Sequence, residues 1–282
     1  MSRVLEGKLA IVTGSSRGIG AAIAENLASK GSNVILNYTS ASSASLASNL
    51  AKSLETQHGI RTSVVQADIG TPEGSARVIE AAKAAFASGD KPLQIDIIVN
   101  NAGVALNAWL PDIKLADFQE TYRVNVLGPL LLVQAAQPYL PLDRSGRIVN
   151  LSSVSSSTGF VTQTVYGGSK AALEAMTRTW ARELAERATV NAINPGPVEG
   201  PMYAANPAEV KDSIRGWIQH TPLMAARPGV DSDEAVQAAR DGGGRPATTK
   251  EIAGIVGMLC TPDAAWCTGQ VVCANGGMVM LH

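Results

Sequence analysis

Tyr166 and Lys170 lie four residues apart in the run Tyr166-Gly167-Gly168-Ser169-Lys170. If that run opens a helix, the two side chains share one face, with Cβ atoms roughly 5–6 Å apart. A free tyrosine titrates at about 10, and an ammonium group beside it stabilises the phenolate and lowers that value. Such a pair can protonate the alkoxide formed when a ketone accepts a hydride, or take the proton back in the reverse direction. Ser153 stands upstream in a serine-rich run, Ser152 to Ser157. Its hydroxyl can hydrogen-bond a carbonyl oxygen as charge develops there. Each residue alone has a plainer explanation as loop or helix surface.

Positioning these groups requires a scaffold, and the hydropathy pattern supplies one. β-rich runs are read at Leu9–Thr13, Asn33–Tyr38, Thr62–Ala67, Ile95–Asn100, Arg147–Leu151, Thr189–Asn194 and Gln270–Ala274. Helical runs are read at Ile19–Ser29, Ser45–Gln57, Glu73–Ala87, Leu115–Tyr139, Tyr166–Arg187 and Thr249–Cys260, with a kink expected at Gly128-Pro129. Most of the strands are continuous apolar runs, the mark of a sheet covered on both faces. Strand–helix alternation over this length predicts an α/β fold: a doubly wound parallel sheet in three αβα layers, Rossmann-type, as a single domain over 1–282. Ser153 then follows the fifth strand, at the carboxyl edge where ligands bind in such sheets. The one irregular stretch is 197–246.

The turn Thr13-Gly14-Ser15-Ser16-Arg17-Gly18-Ile19-Gly20 joins the first strand to the first helix. In that context Gly14, Gly18 and Gly20 allow a sharp turn and close approach of a pyrophosphate. Ser16, Arg17 and Ile19 then lie at the positive end of the helix. The same octet contains Gly14-Ser15-Ser16-Arg17-Gly18, which matches a hydrolase nucleophile elbow, but only His58, His220 and His282 could serve as partners and the turn follows the first strand. The second strand ends in Asn37-Tyr38-Thr39-Ser40, with no acid to repel a 2′-phosphate, and Arg17 adds a cation nearby. These residues favour NADPH/NADP+ over NAD.

Composition narrows the partners. Lys plus Arg number 23 against 24 Asp plus Glu, a net charge of −1. That balance does not favour nucleic acid or anionic membrane surfaces. No apolar run approaches the length of a spanning helix. A strand-like run begins almost at once, so no secretory leader is expected. The three cysteines, Cys260, Cys267 and Cys273, match no zinc spacing and read as reduced thiols of a cytoplasmic protein. No metal site is expected.

These motifs, in this order, resemble the short-chain dehydrogenase/reductase family, and the likeness covers nearly the whole chain. It is carried by the Thr13–Gly20 turn, Asp68, Asn100-Asn101-Ala102-Gly103, Asn125, Ser153, Tyr166 with Lys170, Pro195-Gly196, and Asn275-Gly276-Gly277. The resemblance implies a catalytic tetrad of Asn125, Ser153, Tyr166 and Lys170. It assigns Asn125 to a helix distortion and a water relay, and Lys170 also to the nicotinamide ribose. It further implies that Asp68 accepts from the adenine amino group, that Ile69 flanks the ring, and that Asn101, Ala102, Gly103, Pro195, Gly196 and Val198 line the cofactor. A homotetramer or homodimer built on Leu115–Gln137 and Tyr166–Arg187 is implied as well.

Two departures stand out. Gly200 occupies the position where the family commonly has a cofactor-contacting Thr. About twenty extra residues, around 224–243, separate Thr221-Pro222-Leu223 from Gly244-Arg245-Pro246, and an insertion of that size beside a substrate pocket is expected to act as a lid or rim. The leading expectation is an NADPH-dependent ketoreductase or carbonyl reductase for a medium-sized ketone, such as a cyclic or aromatic one, with Tyr166 as general acid. The alternatives are an NAD-dependent secondary alcohol dehydrogenase and, in another class, a dinucleotide sensor without turnover. A sensor, like a methyltransferase on a related sheet, has no use for Tyr166 and Lys170.

Overall fold

The computed structural model describes residues 3–89, 92–205 and 208–280. The run Leu9-Ala10-Ile11-Val12 is buried at every position, so its side chains must find cover on both sides of a sheet. They do. Ala10 and Val12 pack with Ile23, Leu27, Leu54, Ile252 and Val256, whereas Leu9 and Ile11 pack with Val78, Ile79, Leu132 and Trp180.

Seven parallel strands make that sheet: β1 (Leu9–Val12), β2 (Asn33–Tyr38), β3 (Thr62–Gln66), β4 (Ile97–Asn100), β5 (Gly146–Leu151), β6 (Ala188–Ile193) and β7 (Val271–Val272). Their order is β3-β2-β1-β4-β5-β6-β7. The order reverses between β1 and β4, and the carboxyl ends of those strands open a crevice at that switch point. Helices α1 (Gly18–Ser29) and α2 (Ala44–His58) cover one face, and α3 (Pro72–Phe86) covers the other. Then come α4 (Leu115–Tyr122), α5 (Gly128–Ala136), α6 (Thr164–Glu183), the short α7 (Pro201–Ala204), α8 (Ala208–His220), α9 (Asp233–Gly242) and α10 (Thr249–Leu259).

The long helix expected at 115–139 is continuous, but its irregularity lies just before Gly128-Pro129. Residues Arg123–Leu127 form a π-helical turn in which the Gly128 N–H donates to the Arg123 carbonyl. Pro129 has no N–H and so cannot supply the ordinary bond to the Asn125 carbonyl. Widening the turn accommodates that loss and rolls Asn125 inward, to complete burial.

The segment 197–246 is not irregular throughout. It contains α7, α8 and α9, and Val198 pairs with Ala247. Helix α8 buries Val210, Ile214 and Ile218, one stripe at helical spacing. A third apolar cluster forms around Val154, Ile214, Ile218, Met224 and Met278, flanked by Phe160 and Tyr203. Helix α9 is fixed locally: Ser232 caps its start, Asp233 and Glu234 lie in its first turn, and Gly243 ends it in a left-handed conformation. Arg245 joins Asp231 and Glu251 at 3.5 and 2.8 Å. The extra segment is thereby tied to the first turn of α10.

Candidate active site

Helix α6 carries Tyr166 and Lys170 on one face, and Ser153 lies in the turn that follows β5. Ser153 lies near enough to the Tyr166 hydroxyl to lower its pKa. Its Oγ also donates to Ser155 Oγ at 3.0 Å and accepts the Ser155 N–H at 3.2 Å. The Lys170 ammonium lies 5.7 Å from the Tyr166 ring centre and donates to the Leu151 carbonyl at 2.8 Å. Asn125 acts as a cross-link. Its amide accepts from the Val104 N–H and donates to the Val104 carbonyl, both at 2.9 Å, and donates to Ser169 Oγ at 3.0 Å. Ser169 Oγ in turn donates to the Tyr166 carbonyl at 2.7 Å. Gly103 lets Asn125 and Lys170 converge: a Cβ there would sit 3.2 Å from Asn125 Oδ1 and 3.4 Å from Lys170 Nζ.

The glycine turn lies across the crevice. Gly14 and Gly18 take φ values of +61° and +60°, the left-handed region that side chains disfavour. Nothing lies within 4 Å of where a Gly18 Cβ would project. A Cβ on Gly20 would meet Gly14 O and Asn101 Nδ2 at 2.5 Å. Asn101 itself donates to the Thr13 and Gly14 carbonyls at 2.8 and 3.2 Å, which fastens the turn to the end of β4. Arg17 precedes α1 and provides no side-chain cap, so its side chain leaves the N–H groups at the positive end of the helix available to an anion. The Arg17 guanidinium reaches Ser43 Oγ at 3.2 Å and so lies over the turn after β2. Thr39 and Ser40 are exposed beside it and Tyr38 is half-buried.

Asn37 is turned away from the groove. It is fully buried, with Oδ1 accepting from the Gly14 N–H and Nδ2 donating to the Ala67 carbonyl at 3.0 Å. It braces the glycine turn from beneath and presents no side chain to a cofactor. The Ile69 side chain likewise packs into the core, with Cδ1 against Gly128. Asp68 is half-exposed. It accepts from Arg123 at 2.8 Å and from the Gly70 N–H at 3.0 Å, yet a carboxylate with about four lone-pair sites keeps acceptor capacity beyond these two. Pro195 is buried, and Gly196 and Val198 are half-buried beyond β6. Gly200 takes φ +136°, a backbone conformation that the family's threonine would adopt only with strain.

A family model described as "short chain dehydrogenase" matches residues 8–211. An L-xylulose reductase of Aspergillus niger is 54% identical, with 99% of each chain covered. An L-xylo-3-hexulose reductase of Hypocrea jecorina is 51% identical, again over 99% of each. Among solved structures, an angucycline ketoreductase with bound NADP superposes with a TM-score of 0.83 at 31% identity, covering 99% of this chain and 98% of that one. A blue fluorescent protein from a metagenomic library, in complex with NADPH, gives 0.82 at 33% identity over 98% and 99%. The chain belongs to the short-chain dehydrogenase family. Its members use a nicotinamide dinucleotide, and the open turn at Gly14, Gly18 and Gly20 below the α1 terminus fits one.

Burial governs the titration of both Tyr166 and Lys170. It raises the Tyr166 pKa, and Ser153 offsets part of that rise. The net direction is up, opposite to the lowering expected from Lys170, because the cost of burying the phenolate is the largest contribution. Burial also pulls Lys170 down to about 8. A raised Tyr166 stays protonated at neutral pH, the state needed to donate a proton to a reduced carbonyl. If the Lys170 cation supports that step, the turnover for reduction should be flat from pH 6 to 7.5 and fall above about 8, approaching tenfold per unit. A profile flat to pH 10 would remove Lys170 from that role. The stability effect has the opposite sense. The unfolded chain holds the lysine proton up to about 10.5, so stability should rise between pH 8 and 10.5 as the buried cation is neutralised.

Two residues at the site were not visible in the motifs. Arg123 meets Asp68 only because the fold closes 55 residues of chain. Glu174 stands four residues after Lys170, and the repeated spacing Tyr166, Lys170, Glu174 was a signal that could have found it.

Proposed function

We propose that this protein reduces the keto group of an open-chain polyhydroxy ketone, a ketose, to a secondary alcohol. NADPH is the reductant and Tyr166 the general acid. The observation that carries this reading is the meeting of Ser153, Tyr166, Lys170 and Asn125 at the carboxyl edge of the sheet, beside a glycine turn that can hold a pyrophosphate. Two relatives identical to this chain at more than half of aligned positions are reductases of a pentulose and a hexulose, which supports a ketose over a cyclic or aromatic ketone. The absence of an acid at the end of β2, Arg17 beside it, and the NADP(H) held by structural neighbours support NADPH.

The bound cofactor supplies the hydride. The chain does the rest. Ser153 donates to the carbonyl oxygen and orients it, Tyr166 delivers the proton as the alkoxide forms, and Lys170 stabilises the phenolate left behind. Asn125 ties the loop after β4, at Val104, to α6 through Ser169. The segment 197–246 rims the pocket, with Tyr203 packed on the same apolar cluster as Phe160 and Trp217 set edge-on against that Phe160 ring. Removing residues 225–241 should then raise KM for the ketone several-fold with kcat little changed; unchanged kinetics would make the segment a bystander. Self-association through the long helices at Leu115–Gln137 and Tyr166–Arg187 is part of the same reading, supported by the exposed Leu115 and Phe118. So is a cytoplasmic setting, in which the three free cysteines stay reduced. No helix among the described residues is long and apolar enough to cross a membrane.

The test is NADPH consumption with a panel of ketopentoses, ketohexoses and bulky cyclic ketones, beside NADPH and NADH titrations followed by fluorescence. Turnover of ketoses with NADPH bound more tightly supports the reading. Oxidation of secondary alcohols with NAD alone would replace it, and dinucleotide binding without any turnover would favour a sensor.

A further inference from the structure

We infer that Glu174 is a positioning residue for Ser153, clamping the serine's turn to the helix that carries Tyr166. Glu174 lies on α6, one turn past Lys170, and is 8% exposed. Its Oε1 accepts two hydrogen bonds, from Ser152 Oγ at 2.6 Å and from Ser156 Oγ at 2.7 Å. These two serines bracket Ser153. Both donors are neutral hydroxyls, and burying a carboxyl group on such partners alone costs free energy. The arrangement is therefore a poor device for stability and a good one for geometry.

The remaining contacts between α6 and β5 show what this one adds. Thr177 accepts from Asn150 Nδ2 at 2.8 Å, and Lys170 Nζ donates to the Leu151 carbonyl at 2.8 Å. Both contacts end on β5 itself, and just beyond it Ser152 Oγ also reaches the Lys170 carbonyl at 3.4 Å. Glu174 reaches beyond the strand. It holds the first residue after β5 and the last residue of the short turn Val154–Ser156, so both ends of the loop around Ser153 are fixed to one oxygen atom. Ser153 is extended within that loop, at φ −165° and ψ 154°. Among the hydrogen bonds described above its Oγ is held only by the equally short Ser155. Gly167 of α6 packs against the Ser155 backbone and the Val154 N–H donates to the Pro195 carbonyl at 3.0 Å. Among the hydrogen bonds described, however, only Glu174 ties the Ser156 side chain to α6, and its loss would let the end of the turn, and Ser153 with it, drift from Tyr166. A drift of about 1 Å at a reacting group can cost about 10²-fold in rate.

This inference rests on the reductase chemistry proposed above but not on the choice of ketose, so any ketone the wild type reduces will serve. Glu174→Ala should lower kcat about 10²-fold per NADPH-binding site, with the Kd for NADPH within about twofold. Glu174→Gln keeps an acceptor oxygen and should recover most of that loss. In a Ser153→Ala background, Glu174→Ala should have little further effect, because residues acting through one another are not additive. Effects that multiply, or a kcat per binding site equal to wild type, would overturn the proposal. If Glu174→Ala does not fold, Ser156→Ala removes one of the two donors at a half-buried position and should show the same coupling at smaller size. A crystal structure of the variant is read without turnover: the 152–156 turn should move away from Tyr166, and an unmoved turn would refute the clamp even if no substrate is found. Wild-type inactivity on every ketone would instead count against the reductase reading alone.

Discussion

Tyr166→Phe should lower kcat for ketone reduction by about 10³-fold while leaving NADPH binding within about twofold of wild type. Phenylalanine keeps the ring and its packing and removes only the hydroxyl. A positioned general acid contributes about 10²–10⁴-fold, and about 10³ corresponds to about 4 kcal/mol in the barrier. The upper part of the range is unavailable because Ser153 and the buried Lys170 cation remain and still stabilise developing charge on the carbonyl oxygen. The cofactor term should hold because the glycine turn is fastened by Asn101 and Asn37, neither of which touches Tyr166. Single-turnover kinetics at saturating NADPH, with ketone varied, reads the chemical step directly. Residual activity within tenfold of wild type would mean that a water or Ser153 delivers the proton, and Tyr166 would lose the role given to it.

Much of this site was legible because the chemistry demands side-chain types at set places along the chain. Lys170 must follow Tyr166 by one helical turn, and Ser153 must follow a strand at the carboxyl edge; both requirements are local and survive folding unchanged. The sheet was legible for a related reason, since fully apolar runs such as Leu9–Val12 have no other stable home. The same property concealed Asn37. In a strand buried on both faces, apolar residues point both ways, so no alternation tells which polar residue faces the groove. Asn37 and Ile69 were placed toward the cofactor and point inward. The long helix shows another limit. Pro129 marked a break, but a proline's missing donor acts on the turn before it, and the distortion falls at Arg123–Leu127, on Asn125. Helix α9 was hidden by its charged, weakly apolar sequence, and is held by its caps and by the pair of Arg245 with Glu251. That pair pulls Glu251 down to about 2. Contacts made across the fold, Arg123 with Asp68 and Glu174 with Ser152, leave little local trace.

Pairing Arg17→Ala with Tyr38→Asp should reverse cofactor preference, changing the ratio of NADPH to NADH affinity by about 10³-fold. The two substitutions act on one phosphate by separate routes. Arg17 stands over the turn after β2 with its guanidinium on Ser43, and among the described residues no carboxylate pairs with it. A charge-assisted hydrogen bond is worth about 1.5–3 kcal/mol, so its loss should weaken NADPH by about tenfold to a hundredfold and leave NADH almost untouched. Tyr38 is the last residue of β2, at the carboxyl edge and half-buried. A carboxylate there would accept from the ribose hydroxyls of NADH and repel a 2′-phosphate. The phosphate carries about two negative charges near neutral pH, so repulsion at short range is strong, though screened at about 0.15 M salt. Fluorescence titrations of both cofactors at two ionic strengths separate the contributions, because the electrostatic share should shrink at high salt while the hydrogen bonds to the ribose persist. If Arg17→Ala weakens NADH as much as NADPH, the arginine serves the pyrophosphate common to both. Discrimination would then rest on the Thr39 and Ser40 hydroxyls and on the backbone after β2.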